Sequence, residues 1–179
     1  MKKLNFQSYR QLYRDIIKKY IIYFFILLVI ILLHTTVVDI IAIEDITPDL
    51  FLIFVVWLTL KEGTYFGLFA GFFIGLLFDT ISADIIGTNA LSKTVVAFIT
   101  GFFYKERNDY KIIQNYKFIL IVLFTTIIHN LIYFFFYIKT SEQNFMLFYL
   151  KYGIASAFYT TFFAAMVFLF QIPSNRIKI

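Results

Sequence analysis

"EGTYFGLFAGFFIGLLFD", Glu62 to Asp79, sets glycine at 63, 67, 71 and 75 and a carboxylate at the next step of four. In a helix each four-residue step advances about 400°, so the row drifts by about 40° per step and winds around the axis over roughly 18 Å. Glycine inside a helix in water costs about 1 kcal/mol relative to alanine. Helices in lipid associate through close packing instead of hydrophobic exclusion, and there glycine lets two backbones approach. Gly63, Gly67, Gly71 and Gly75 are therefore the expected helix-packing surface, with a right-handed crossing near −40°. The groove is filled either by another span of the chain or by the helix of a partner.

Composition supports a lipid setting. Of 179 residues, 61% are hydrophobic and 15% charged, with a mean hydropathy of +0.82. Soluble globular domains carry about a quarter charged residues. The 25 Phe and 13 Tyr read as bulk tolerated against lipid rather than as stacking platforms. Cysteine is absent, which removes disulfides, thiolate metal sites and thiol nucleophiles. The net charge of +5 is read as an orientation signal, because Lys and Arg set topology. No nucleic-acid partner is expected.

Three regions follow. Residues 1–19 form a basic cytoplasmic segment with six Lys and Arg against one Asp. Residues 20–172 form a single transmembrane domain, and 173–179 a cytoplasmic tail. Apolar segments lie at 20–38, 48–60, 64–81, 89–104, 117–138 and 149–171. The first is read as an uncleaved span, since no small-x-small site follows it. The second is short enough to suggest a re-entrant hairpin, and charge arbitrates. Six spans put the N-terminal segment, Lys61, the loop at 105–117 and the C-terminal bases on one side, leaving Lys139 and Lys151 outside. The expected fold is an all-α, polytopic six-transmembrane-helix bundle with both termini cytoplasmic.

Polar residues are few inside such a bundle. The outer connection "DIIAIEDITPD" holds Asp39, Glu44, Asp45 and Asp49; Thr47 or Asp49 suits a helix cap, and Pro48 a first turn. Its acids lack the regular spacing of a calcium loop. Asp79, Asn89 and Lys93 are expected as a polar anchor, with Asn89 or Ser92 capping span four and Asp79 paired to Lys93 across the hairpin. Lys105, Arg107 and Lys111 are candidate cytoplasmic contacts. His34, His129 and Asn130 suit interhelical hydrogen bonds better than a two-imidazole metal site. No HExxH, phosphate loop, positioned nucleophile or catalytic carboxylate pair is present, so neither enzymatic activity nor a cofactor is expected.

Pro48 to Gly101 carries a combination that is more specific. A Pro-Asp precedes span two, "GLFAGFFIGLLFD" has the form GxxxGFxxGLxxD, and "GTNAL" opens span four. This block resembles the rod shape-determining MreD family. The resemblance implies a bacterial inner-membrane scaffold of the cell-elongation machinery that binds MreC through its transmembrane helix. It would link MreC to MreB and to the peptidoglycan synthases, without catalytic residues of its own. The family is also similar in fold to the substrate-binding subunits of ECF vitamin transporters, which supplies an alternative: a small-molecule, vitamin-type binding subunit. A pocket for that role has Trp57, His34, His129 and Asn130 to draw on, a sparse set.

Overall fold

A computed structural model describes residues 6–38, 40–44, 46–105, 112–138 and 145–171. The elements are α1 (Phe6–Leu33), α2 (Leu50–Glu62), α3 (Thr64–Ile81), α4 (Thr88–Gly101), α5 (Lys117–Ile138), α6 (Phe145–Phe148) and α7 (Ile154–Gln171). Two π-helical turns join them, His34–Val38 extending α1 and Tyr149–Gly153 linking α6 to α7. Among the described residues no strand forms beyond the isolated Ile43–Ile46 bridge. The protein is all-helical.

Among the described residues four helical stretches are long and apolar enough to cross a membrane: Tyr13–Val38, Thr64–Ile81, Lys117–Phe136 and Phe145–Leu169. The other two expected spans form helices of 13 and 14 residues, α2 and α4. At 1.5 Å per residue each covers about 20 Å of a hydrocarbon core about 30 Å thick. Their position explains how so short a helix persists. α2 is apolar on every side, and from Phe51 to Leu60 every residue but Trp57 is buried. Its surroundings are protein, so its length answers to its neighbours rather than to lipid.

The core lies on the two sides of α2. On one, Leu52, Ile53, Val56 and Leu60 meet Val96 of α4, Phe118, Ile121 and Val122 of α5 and Ala164 of α7. On the other, Phe51, Phe54, Val55 and Leu58 meet Tyr23 of α1, Ile74 of α3 and Ala97 of α4. Asp49 caps α2, its Oδ1 accepting from the Leu52 N–H at 2.8 Å, one of the two caps its sequence offers.

The glycine row divides its labour. Gly63 is not part of the ladder's helix. It sits between α2 and α3 at φ +97°, a conformation that excludes it from any right-handed helix and favours glycine. The row proper begins at Gly67, where an added Cβ would meet Thr59 Cγ2 of α2 at 2.7 Å. At Gly71 it would meet the Lys93 carbonyl oxygen at 2.7 Å, and at Gly75 the Asn89 carbonyl oxygen at 2.6 Å, both on α4. At the far end Thr64 lies against Gly101. α3 and α4 thus run antiparallel in backbone contact over their whole length. The groove expected to admit one crossing helix is shared by two, because the drift of the row turns Gly67 toward α2 and the later glycines toward α4.

Candidate functional site

At the end of the bundle opposite Glu62, the α1–α2 connection, the α3–α4 turn, α5 and the second π turn surround a cavity of about 910 Å³. Its floor is polar, and the floor is built on one lysine. Lys93 is fully buried, five residues past the Thr88 start of α4. A charged side chain inside a membrane protein costs several kcal/mol unless it is paired and hydrogen-bonded. All three donors of this ammonium are committed: to Asp49 Oδ2 at 2.7 Å, to Asn89 Oδ1 at 2.9 Å and to His129 Nε2 at 3.4 Å.

The network that follows fixes the histidine tautomer. Asn130 Nδ2 donates to the Gly153 carbonyl at 2.7 Å, which turns its Oδ1 toward His129 Nδ1, 3.2 Å away. Nδ1 therefore carries the proton, and Nε2 presents a lone pair to Lys93. The ring of His129 lies parallel to that of Tyr133, with centroids 6.1 Å apart. Four segments (the α2 cap, α4, α5 and the second π turn) are tied together through side chains far apart in sequence.

Lys93 does not pair with Asp79, as the hairpin suggests; its partner is Asp49. Asp79 is occupied elsewhere. Fully buried, it accepts from the backbone N–H of Gly87 at 2.8 Å and of Asn89 at 3.0 Å, and from the Thr88 hydroxyl at 3.4 Å. The start of a helix leaves N–H groups without intrahelical acceptors and carries partial positive charge. At α4 neither Asn89 nor Ser92 is the cap. The cap residue is Gly87 at φ +100°, which has no side chain to offer, and the preceding helix lends the carboxylate. Asn89 faces Lys93 one turn on, as their spacing predicts.

Asp84 stands in the α3–α4 turn on the cavity wall. Its Oδ2 accepts from the Tyr133 hydroxyl at 3.1 Å and from Asn89 Nδ2 at 3.3 Å. Partial burial raises its pKa above the usual aspartate value, and the Asp79 carboxylate adds to the rise while the bond from Tyr133 opposes it. Phe78, Phe134, Phe148 and Tyr152 complete an aromatic wall, and His34 enters from the π turn of α1. The His34 ring packs against Phe51 and Phe78, at 5.3 and 4.9 Å between centroids.

The residues expected to matter separate into three groups. Asn89, Lys93, His129 and Asn130 converge at the cavity floor, with Asp79 beside them under the start of α4, while Gly67, Gly71 and Gly75 form the packing seam behind. Trp57 lies away from the cavity, against Tyr23 and Phe54. Lys105 is exposed at the other end, and Arg107 and Lys111 lie outside the described residues. Among the described residues no three His, Cys, Asp or Glu side chains form a group able to hold a metal ion. Sequence reasoning missed Tyr133 and its bond to Asp84 across 49 positions, and it did not foresee the ion pair of Asp49 with Lys93. The signal available was that Asp49, Asp84 and Lys93 are charged residues in or beside apolar segments of the sequence. No protein-family model matches the chain, and no curated protein or solved structure matches it.

Proposed function

We propose that this chain is a non-enzymatic scaffold of the bacterial cell-elongation machinery, similar to MreD, acting in the cytoplasmic membrane with both termini inside. The observation that carries the reading is the coincidence of motif and architecture. The block from Pro48 to Gly101 that resembles the family is the unit α2–α3–α4, and its motif residues are those whose size, charge or backbone conformation the unit depends on: the seam glycines, Asp49 and Asp79, and Gly87 at its positive φ. On this reading α2 and α4 complete six crossings within the bundle, and the cavity opens outward. The distribution of charge supports that orientation, with Arg10, Arg14, Lys18, Lys19, Lys61 and Lys105 at one end and Glu44, Asp49, Asp79 and Asp84 at the other.

Because α4 and α2 occupy the glycine groove, a partner such as the transmembrane helix of MreC would seat on an outer face. The exposed Phe69 and Phe73 of α3 are candidates. The basic end would meet MreB or anionic headgroups, each Lys or Arg near a charged leaflet contributing about 1 kcal/mol. Depleting the protein in a rod-shaped host is the test. Widened, rounding cells and co-purification of MreC are expected; unchanged shape without MreC would remove the assignment.

The cavity favours a second reading, a small-molecule binding subunit of a membrane transporter. Its volume is within the range of about 300–1,000 Å³ common for ligand sites, and polar groups converge on an aromatic wall. Ligand-dependent thermal stabilisation would support it.

A further inference from the structure

We infer that the cavity is a binding site for a small organic cation with an apolar or aromatic body, its charge held by Asp84 and its body by the ring wall. This deepens the ligand-binding reading and requires none of the scaffold's partners. Two carboxylates, Asp49 and Asp84, are among the described residues lining the cavity, and no Lys or Arg is. Lys93 lies beneath the floor with its three donors committed to Asp49, Asn89 and His129, and the Lys151 ammonium lies over the Tyr152 ring, 4.9 Å from its centroid. Lys93 neutralises Asp49 and has no N–H left for an anion. Asp79 is taken up by the α4 backbone.

Asp84 is different. Both of its hydrogen bonds go to Oδ2; among the described residues its Oδ1 accepts none. The rings of Phe78, Tyr133, Phe134, Phe148 and Tyr152 line the same cavity; Phe78 and Tyr152 already lie against the Lys93 and Lys151 ammoniums, at 4.2 and 4.9 Å from the centroids, which shows that this wall attracts cations as well as burying apolar surface. An anionic ligand would meet this carboxylate without a compensating donor. A bare metal ion would lack the further carboxylates or imidazoles it needs. A protonated or quaternary amine on a compact hydrophobic body satisfies both the acid and the rings.

The full chain in neutral detergent, titrated calorimetrically with benzyltrimethylammonium, benzyl alcohol and benzoate, tests the inference. The cation should saturate one site, with the neutral and anionic probes at least about tenfold weaker. Asp84→Asn should weaken the cation about tenfold while leaving the unliganded melting temperature near that of the parent. Thr35→Phe, at an exposed rim position, should weaken it as well, and it decides the matter if Asp84→Asn does not fold. Equal binding of the three probes, or unaltered affinity in the folded variants, would overturn the charge assignment and leave a ligand-binding subunit standing. No saturable binding of any probe would overturn both.

Discussion

Lys93 shows how much one buried charge can organise. Replacing it with methionine keeps the volume but strands Asp49 against α2 and removes the donor facing His129, and breaking such a pair costs about 3–5 kcal/mol. The double variant Asp49→Asn, Lys93→Met should recover much of that loss, measured by denaturant unfolding in micelles, because no uncompensated charge remains. Asp79→Ala should cost about 1–2 kcal/mol through the N–H groups it leaves unpaired at the start of α4. Asp84 predicts a pH dependence. Its pKa is raised by burial and by Asp79, so the ionised form that holds a cation is lost on acidification from a higher pH than an ordinary aspartate would show. Affinity for benzyltrimethylammonium should therefore fall as pH is lowered through that raised value. Lys93, Tyr133, His129 and His34 also face this region from α4, α5 and α1. A flat profile in Asp84→Asn would assign the titration to the carboxylate, and a profile identical to the parent's would assign it to an imidazole.

At the scale of elements, the α3–α4 seam is the most constrained part of the molecule. Gly75→Leu would drive a side chain into the Asn89 carbonyl and Ala90 backbone, which no change of rotamer relieves. A loss of about 3 kcal/mol is expected, the upper part of the usual range for overpacking, whereas the exposed Phe73→Leu should stay within about 0.5 kcal/mol. Thermal unfolding of the two variants in one detergent makes the comparison. The seam was legible in the sequence because four-residue glycine spacing is local information. The exchange of partners was not. Lys93 sits 14 positions after Asp79 and 44 after Asp49, and only packing of α2 against α4 reveals that the distant acid is the nearer one in space. The cavity was hidden for a similar reason: its polar residues come at most three to a segment and converge only when segments far apart in sequence pack together. α2 illustrates the opposite case, where an eleven-residue segment, apolar but for Thr59, suggested a hairpin until charge favoured a span; burial on every side, a property of the neighbours, explains the short helix.

For the whole molecule the absence of cysteine makes topology directly measurable. Of single replacements at two exposed positions, Ser82→Cys should react with a membrane-impermeant maleimide in intact cells and Lys105→Cys only after the membrane is permeabilised. The reverse pattern would place the cavity on the cytoplasmic face. Two ends of different character are built into the chain. At one, Lys19 and the Tyr23 hydroxyl close on Glu62, and the Lys61 ammonium lies 4.3 Å from the Trp57 ring centroid; at the other, acids predominate around the cavity.

α1 is a single helix from Phe6 to Leu33, about 42 Å of continuous rod at 1.5 Å per residue. Its contacts with the bundle run from Lys19 and Tyr23 on Glu62 through Ile26, Leu27, Ile30 and Ile31 to His34 on Phe51 and Phe78, whereas Tyr13 to Lys18 are exposed. Beyond Leu33 the same rod runs directly into His34 and Thr35 of the cavity wall. A rigid bar seated along one half is a cantilever: a sideways pull on its exposed turns is taken up by the α2 and α3 side chains against which the other half packs before it reaches the mouth of the cavity.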